Sequence, residues 1–303
     1  MGKANLRAGI VPPMSGVVDN VYKDSCGCFI RSEIWACLAP GHPEIAARYA
    51  YEDGIVDHGD EGVRGEIFFA ALESAAFVES CPDTLLDIAL SYIPDDCAVA
   101  RAVQEARTCY REGVDFWEAR KRVHNLVPGT FGIQSCKISE IDPEEKDLEL
   151  GAPGFDAPEN IAFAILGWLY GEGDFGKALC LAVGCGEDTD CSGASLGALL
   201  GILYGASQIP EKWTNPLNDK ITTLCIDKTS RGVWVPDTVT QLADRLMRIT
   251  PFFLGISGCD LFAAGGYEIL YQTDALFCPA KEEYLPFING GGKSKEIPVR
   301  FLS

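Results

Sequence analysis

Positive charge is scarce in this sequence. Lysine and arginine total 25 against 44 aspartates and glutamates, a formal net charge of −19 over 303 residues. A surface of that sign repels phosphate backbones, which argues against nucleic acid as a partner. It also concentrates cations near the protein, which suits a metal site without requiring one. No uninterrupted apolar stretch is long enough to span a bilayer. The most apolar helix candidate, Ala194 to Tyr204, is broken by Gly197 and Gly201, so no membrane partner is expected. No secretory signal opens the chain. Zinc-knuckle spacing is missing as well: Cys26-Gly27-Cys28 lacks the two-residue spacer and no suitable second pair follows.

Cysteine itself is abundant. There are 13, an odd number, and most sit in apolar runs such as Lys177 to Val183. Buried free thiols behave as small hydrophobes. Together with the missing signal, they predict a reducing, cytoplasmic protein. Hydrophobic residues make up 47% and charged residues 23%. That composition builds one large domain, or a domain with an appendage, and does not indicate disorder.

Hydrophobic periodicity predicts a succession of helices. Met1 to Gly27 reads as a loop. Helices are expected over Ile30 to Ala39, Pro43 to Glu52, Gly65 to Glu79, Thr84 to Ser91, Ala98 to Glu112 and Asp115 to Val127. Asn125 to Asn160, with its acidic run Glu140 to Glu149, reads as a long excursion. Helices resume at Glu159 to Tyr170, Phe175 to Val183, Asp190 to Tyr204 and Thr238 to Met247. Gly193, Gly197, Gly201 and Gly205 fall on one face of one helix and predict close approach by another. Tyr267 to Tyr271, Tyr284 to Ile288 and Ile297 to Leu302 read as strands, with Gly290 to Gly292 as a turn or linker. The domain expectation is a helical unit over 1–250 and a small β-rich extension over 251–303.

The segment with most chemistry is Asp188-Thr189-Asp190. It follows a helix, sits in a Gly-rich turn and opens the next helix. Three oxygen side chains over three residues can converge on one hard cation. Two plainer readings compete: Asp190 as an ordinary N-cap, and Asp188 as a carboxylate at the positive end of the helix dipole.

The run Val183 to Gly201 (VGCGEDTDCSGASLGALLG), followed by Gly205-Ala206 and Ile209 to Trp213, resembles the C-terminal signature of the ADP-ribosylglycohydrolase family. Gly27 to Arg31, Ala46 to His58 and Asn160 to Gly171 resemble further segments of it. The likeness spans about residues 5 to 250. It implies a mainly α, multi-helical orthogonal bundle, and Asp188 and Asp190 as metal ligands for Mg²⁺ or Mn²⁺. The family's following threonine ligand is replaced by Cys191, with Ser192 beside it. The family's opening Gly-rich helix with its catalytic glutamate, and its Thr-Asp-Asp-type motif, find no counterpart before Gly27. The expectation is therefore an N-terminally incomplete domain, an incomplete binuclear site and no assignable catalytic residue.

For substrate contacts, the resemblance points to His58 near the pocket and to Asn160 as a hydrogen-bonding partner of ADP-ribose. Arg31 matches phosphate geometry. Gly186, Glu187 and Thr189 complete the turn around the ligand. Each has a plainer alternative: an Asp57–His58 pair ending a helix, a helix cap at Asn160, a surface arginine. Glu66 reads as a first-turn carboxylate. The implied activity is metal-dependent hydrolysis of an ADP-ribosyl glycosidic bond on a small molecule or protein, through a sugar cation. Its rival is a catalytically inactive ADP-ribose-binding or interaction module. Oligomeric state is not legible.

Overall fold

The computed structural model describes residues 1–127, 154–223, 235–255, 266–269, 273–278 and 299–302. It is a multi-helical, mainly α protein. The acidic run Glu140 to Glu149, the expected strand Tyr284 to Ile288 and the glycines 290–292 lie outside the described residues.

Two helices form the centre: α5 (Asp60–Ala76) and α9 (Ala157–Gly171). Both are buried on nearly every face, which a helix tolerates only when others surround it. Around α5 pack α3 (Ser32–Leu38), α4 (Pro43–Gly54) and α6 (Pro82–Ser91). Around α9 pack α7 (Ala98–Arg111), α8 (Phe116–Leu126), α10 (Phe175–Gly184) and α11 (Thr189–Tyr204). Phe29, Phe68, Phe69, Phe163, Ile161 and Leu166 fill the shared core. α5 starts a turn earlier than the periodicity predicts. Gly62 lets the helix press on the Lys23 carbonyl, where a Cβ would sit 2.4 Å away.

The N-terminal stretch is not a loop. It contains α1 (Gly2–Arg7) and α2 (Met14–Val17), both too short to show a period. Side-chain amides brace it internally and tie it to the segment that follows α4. Asn5 donates to the Ser15 and Val18 carbonyls, and Asn20 donates to the Gly16 and Asp57 carbonyls. A Cβ at Gly16 would lie 2.0 Å from the His58 oxygen, so only glycine fits.

The glycine stripe of α11 is not a tight helix contact. A Cβ would come within 3.0 Å of a neighbour at Gly193, has 3.8 Å at Gly197 and Gly201, and meets nothing at Gly205. The close approach is on α9 instead. A Cβ at Gly167 would lie 2.6 Å from Ala182 Cβ, and one at Gly171 would lie 2.5 Å from Ala178 Cβ. The apolar run of α10 also misleads about its thiol: Cys180 is exposed, whereas Cys26, Cys28, Cys97, Cys109, Cys185 and Cys191 are buried.

Short helix α12 (Glu211–Thr214) precedes α13 (Val239–Phe253). Trp35, Tyr49 and Phe253 stack there, beside buried Leu254. β1 (Gly266–Ile269) and β2 (Val299–Leu302) pair antiparallel, Tyr267 opposite Phe301. Leu276 is buried in the main core, and its carbonyl accepts from the Tyr92 hydroxyl at 3.0 Å.

Candidate functional site

The turn from α10 into α11 has unusual backbone. Gly186 and Glu187 both take positive φ, +81° and +62°. Glycine adopts this freely, but glutamate does so at a cost. Glu187 is held there by Arg120, whose Nη2 lies 3.5 Å from Oε1. The guanidinium is buried, donates through Nε to the Cys185 carbonyl at 2.9 Å, and lies over Phe163. The Glu187 carboxylate also stands where a Cβ on Gly154 would be, 1.6 Å away. Behind it, His124 Nδ1 pairs with Glu159, and these two with Glu187 form one close cluster of metal-ligating side chains.

This strained turn aims Asp188. The Asp188 amide donates to Asn160 Oδ1 at 3.0 Å. Asn160 is fully buried, and its amide nitrogen donates to the Gly154 and Asp156 carbonyls. It is not a cap, because α9 begins earlier with Asp156 at the N-cap. Its side-chain amide positions the Asp188 turn. Asp188 occupies the N-cap of α11 yet makes no side-chain capping bond. Its carboxylate is therefore not committed to the helix end. Asp190 lies in the first turn, exposed, and is not the cap. Burial raises the Asp188 carboxyl above its ordinary value; the Cys191 thiol opposes this, and the like charge of Asp190 adds to it.

The segment carrying Cys26 also meets Asp188. The Asp188 carboxylate, Cys26 Sγ and Cys191 Sγ all lie within 4.8 Å of one another. They form one wall of a cavity of about 430 Å³, completed by Tyr22, Ser25, Gly27 and Phe155. A second cavity of about 340 Å³ lies beyond the turn, at Trp117, Arg120 and Cys185.

A polar relay runs behind the first cavity. Ser25 Oγ is 3.2 Å from His58 Nε2, and His58 Nδ1 is 2.8 Å from Asp57 Oδ1. Arg31 donates to both Asp57 oxygens, at 3.1 and 3.0 Å. Burial works against charge on Asp57, but His58 and Arg31 hold its carboxyl below the ordinary range. Arg31 also reaches Asp53 at 3.1 Å and Glu66 at 3.6 Å. Glu66 is fully buried and accepts from the Cys28 thiol at 2.8 Å. It is not a first-turn carboxylate, because α5 begins six residues before it. Glu33, which accepts from the Ser195 hydroxyl at 3.3 Å, is pushed up to about 7 by burial.

The profile of the ADP-ribosylglycohydrolase family matches residues 2–252. The chain belongs to that family. Among curated proteins and among solved structures, none matches. Membership supports a hydrolase-like function, and the family is a metal-dependent one. Among the described residues, no helix is long and apolar enough to cross a membrane.

Against the family expectation, the structure brings Asp188, Asp190 and Asn160 to one turn and engages Arg31 with the carboxylates of Asp53, Asp57 and Glu66. His58 stands one residue behind the cavity wall, reached through Ser25. Glu187 and Gly186 shape the turn, Glu187 with its carboxylate turned toward Arg120. Asp188 and Asp190 supply oxygen donors that fit one hard divalent cation, with water completing the shell. The thiols of Cys26 and Cys191 do not fit such an ion. Two residues escape sequence reading. Ser25 carries no signal at all. Cys26 is dismissed by its spacing to Cys28, whereas its partner lies far along the chain at Cys191.

Proposed function

We propose that this chain acts on the ADP-ribosyl group, hydrolysing its glycosidic bond in a metal-dependent reaction. The observation that carries this is the Asp188 carboxylate, free of any helix-capping bond, beside Asp190 and lining a cavity, in a chain of this family. A hard cation at Asp188 and Asp190 would supply charge stabilisation for the diphosphate-ribose and a polarised water. Asn160 orients the turn that presents both carboxylates. Ser25 on the cavity wall and His58 behind it would make a proton-handling pair, with Asp57 fixing the imidazole. Cleavage at the anomeric carbon would pass through a sugar cation. We assign the activity to residues 1–250 and the remainder to an appendage anchored through Leu276. The metal is proposed as Mg²⁺ or Mn²⁺, the setting as cytoplasmic, and the substrate as an ADP-ribosylated small molecule or protein.

A second reading, an ADP-ribose-binding module without turnover, is favoured by the thiols that stand where further oxygen ligands would be needed. One experiment separates them. The chain is incubated with Mg²⁺ or Mn²⁺ and ADP-ribosylated arginine, serine and protein. Free ADP-ribose is quantified, and ADP-ribose binding is measured by calorimetry. Metal-dependent release that disappears in the Asp188→Ala, Asp190→Ala double variant supports hydrolysis. Binding without release supports the module. Neither binding nor release refutes both.

A further inference from the structure

We propose that Cys26, Asp188 and Cys191 form a binding site for a thiophilic divalent cation, zinc in the first instance, with its fourth coordination position open to the adjoining cavity. Two thiolate sulfurs and one carboxylate oxygen are a donor set that zinc accepts and Mg²⁺ does not. A tetrahedral zinc with Zn–S of about 2.3 Å and Zn–O of about 2.0–2.2 Å needs donors about 3.5–3.8 Å apart. The three atoms already lie within 4.8 Å of one another. Small rotamer adjustments close the remainder.

The ligands come from two pieces of backbone, Cys26 on one and Asp188 with Cys191 three residues apart at the start of α11. Cys26 is anchored by its amide to the Phe155 carbonyl at 2.8 Å, and its thiol leans on the Asp156 carbonyl at 3.6 Å. Asp188 is anchored by Asn160 at 3.0 Å. Cys191 is in the first turn of α11. Both thiols are buried, 1% and 7% exposed, yet line the cavity. A bound cation displaces the two thiol protons, which leave to solvent. Cys28 takes no part, since its thiol donates to Glu66. The proposal stands whether or not the chain hydrolyses an ADP-ribosyl bond.

The test uses the full chain, reduced and stripped of metal. Co²⁺ is titrated and read by thiolate-to-cobalt charge-transfer absorption and by the visible bands of tetrahedral cobalt. Zn²⁺ affinity comes from competition with a chromophoric chelator. Variants are Cys26→Ser, Cys191→Ser, Asp188→Asn and the Cys26→Ser, Cys191→Ser pair. The exposed thiols Cys81 and Cys180, both changed to serine, are the control. Loss of a hydrogen-bonding partner of a ligand costs about 10- to 100-fold in metal affinity, so each single ligand change should cost at least that. The charge-transfer band should roughly halve in each single cysteine variant, vanish in the pair and persist in the control. X-ray absorption of the zinc-loaded wild type should show two sulfur ligands, which tests the site even if a variant fails to fold. A wild-type cobalt spectrum of octahedral, all-oxygen character would overturn the proposal. So would a charge-transfer band that survives in the Cys26→Ser, Cys191→Ser pair, or a zinc shell without sulfur.

Discussion

Replacing Glu66 by glutamine should make the protein more stable at neutral pH, by an amount that grows with pH. Glu66 is fully buried, and its carboxyl is raised to about 8. Burial is the main cause. The Cys28 thiol and Arg31 oppose it, and Asp53 adds to it. An unfolded glutamate titrates near about 4.3–4.5. Below that pH both states hold the proton and the site costs nothing. Between about 4.5 and about 8 the unfolded state releases its proton while the folded state keeps it, so stability falls as pH rises. At pH 7 the loss is about 3 kcal/mol, approaching about 5 kcal/mol above pH 8, from about 1.4 kcal/mol per pKa unit. Glutamine keeps the shape and an oxygen for the Cys28 thiol but does not titrate. The assay is urea unfolding of wild type and Glu66→Gln at pH 5, 6, 7 and 8. Glu33 and Glu73 are also raised by burial, and they titrate in both proteins, so the difference isolates Glu66. The advantage of the variant should grow by about 2–3 kcal/mol between pH 5 and pH 7. A difference independent of pH, or one that shrinks as pH rises, would refute the assignment of Glu66 as a neutral buried acid.

Asn160→Ala leaves the part-buried Asp188 amide and the Gly154 carbonyl without their Asn160 partner. Stability should drop by about 1–3 kcal/mol in urea unfolding, and Mn²⁺ binding read by electron paramagnetic resonance should weaken in parallel. The Asp188→Ala, Asp190→Ala double variant should abolish that Mn²⁺ binding while leaving the helical circular dichroism unchanged; identical titrations of variant and wild type would reject the carboxylate pair as the cation site. Gly167→Val forces a side chain against Ala178 and Ala182, and should cost at least about 1–3 kcal/mol by thermal or urea unfolding, whereas Gly197→Ala should cost less, since a Cβ there would meet only Leu179, at an ordinary 3.8 Å. Gly154→Ala should displace the Glu187 carboxylate from its place beside Arg120, which a change in chemical shift of the Arg120 guanidinium would report.

Much of the site was legible in the chain itself, and the rest was not for definable reasons. The helices from Pro43 to Leu126 and from Ala157 to Tyr204 follow from local period, and so does the Gly-rich turn carrying Asp188 and Asp190. These depend on neighbours three or four residues apart, which a linear sequence displays. Asn160 could be placed at the start of a helix but not understood, because its amide serves a turn 28 residues away. The α11 glycines suggested a packing stripe that belongs to α9 instead. Which small face meets another helix depends on where the second helix lies. Local sequence determined the family, the helical class and the carboxylate pair. Tertiary structure alone decided that Cys26 meets Cys191 at Asp188, that Ser25 stands before His58, and that Arg31 is engaged by Asp53, Asp57 and Glu66. Those are contacts between segments far apart in the chain, and only the packing of α5 and α9 at the centre brings them within reach.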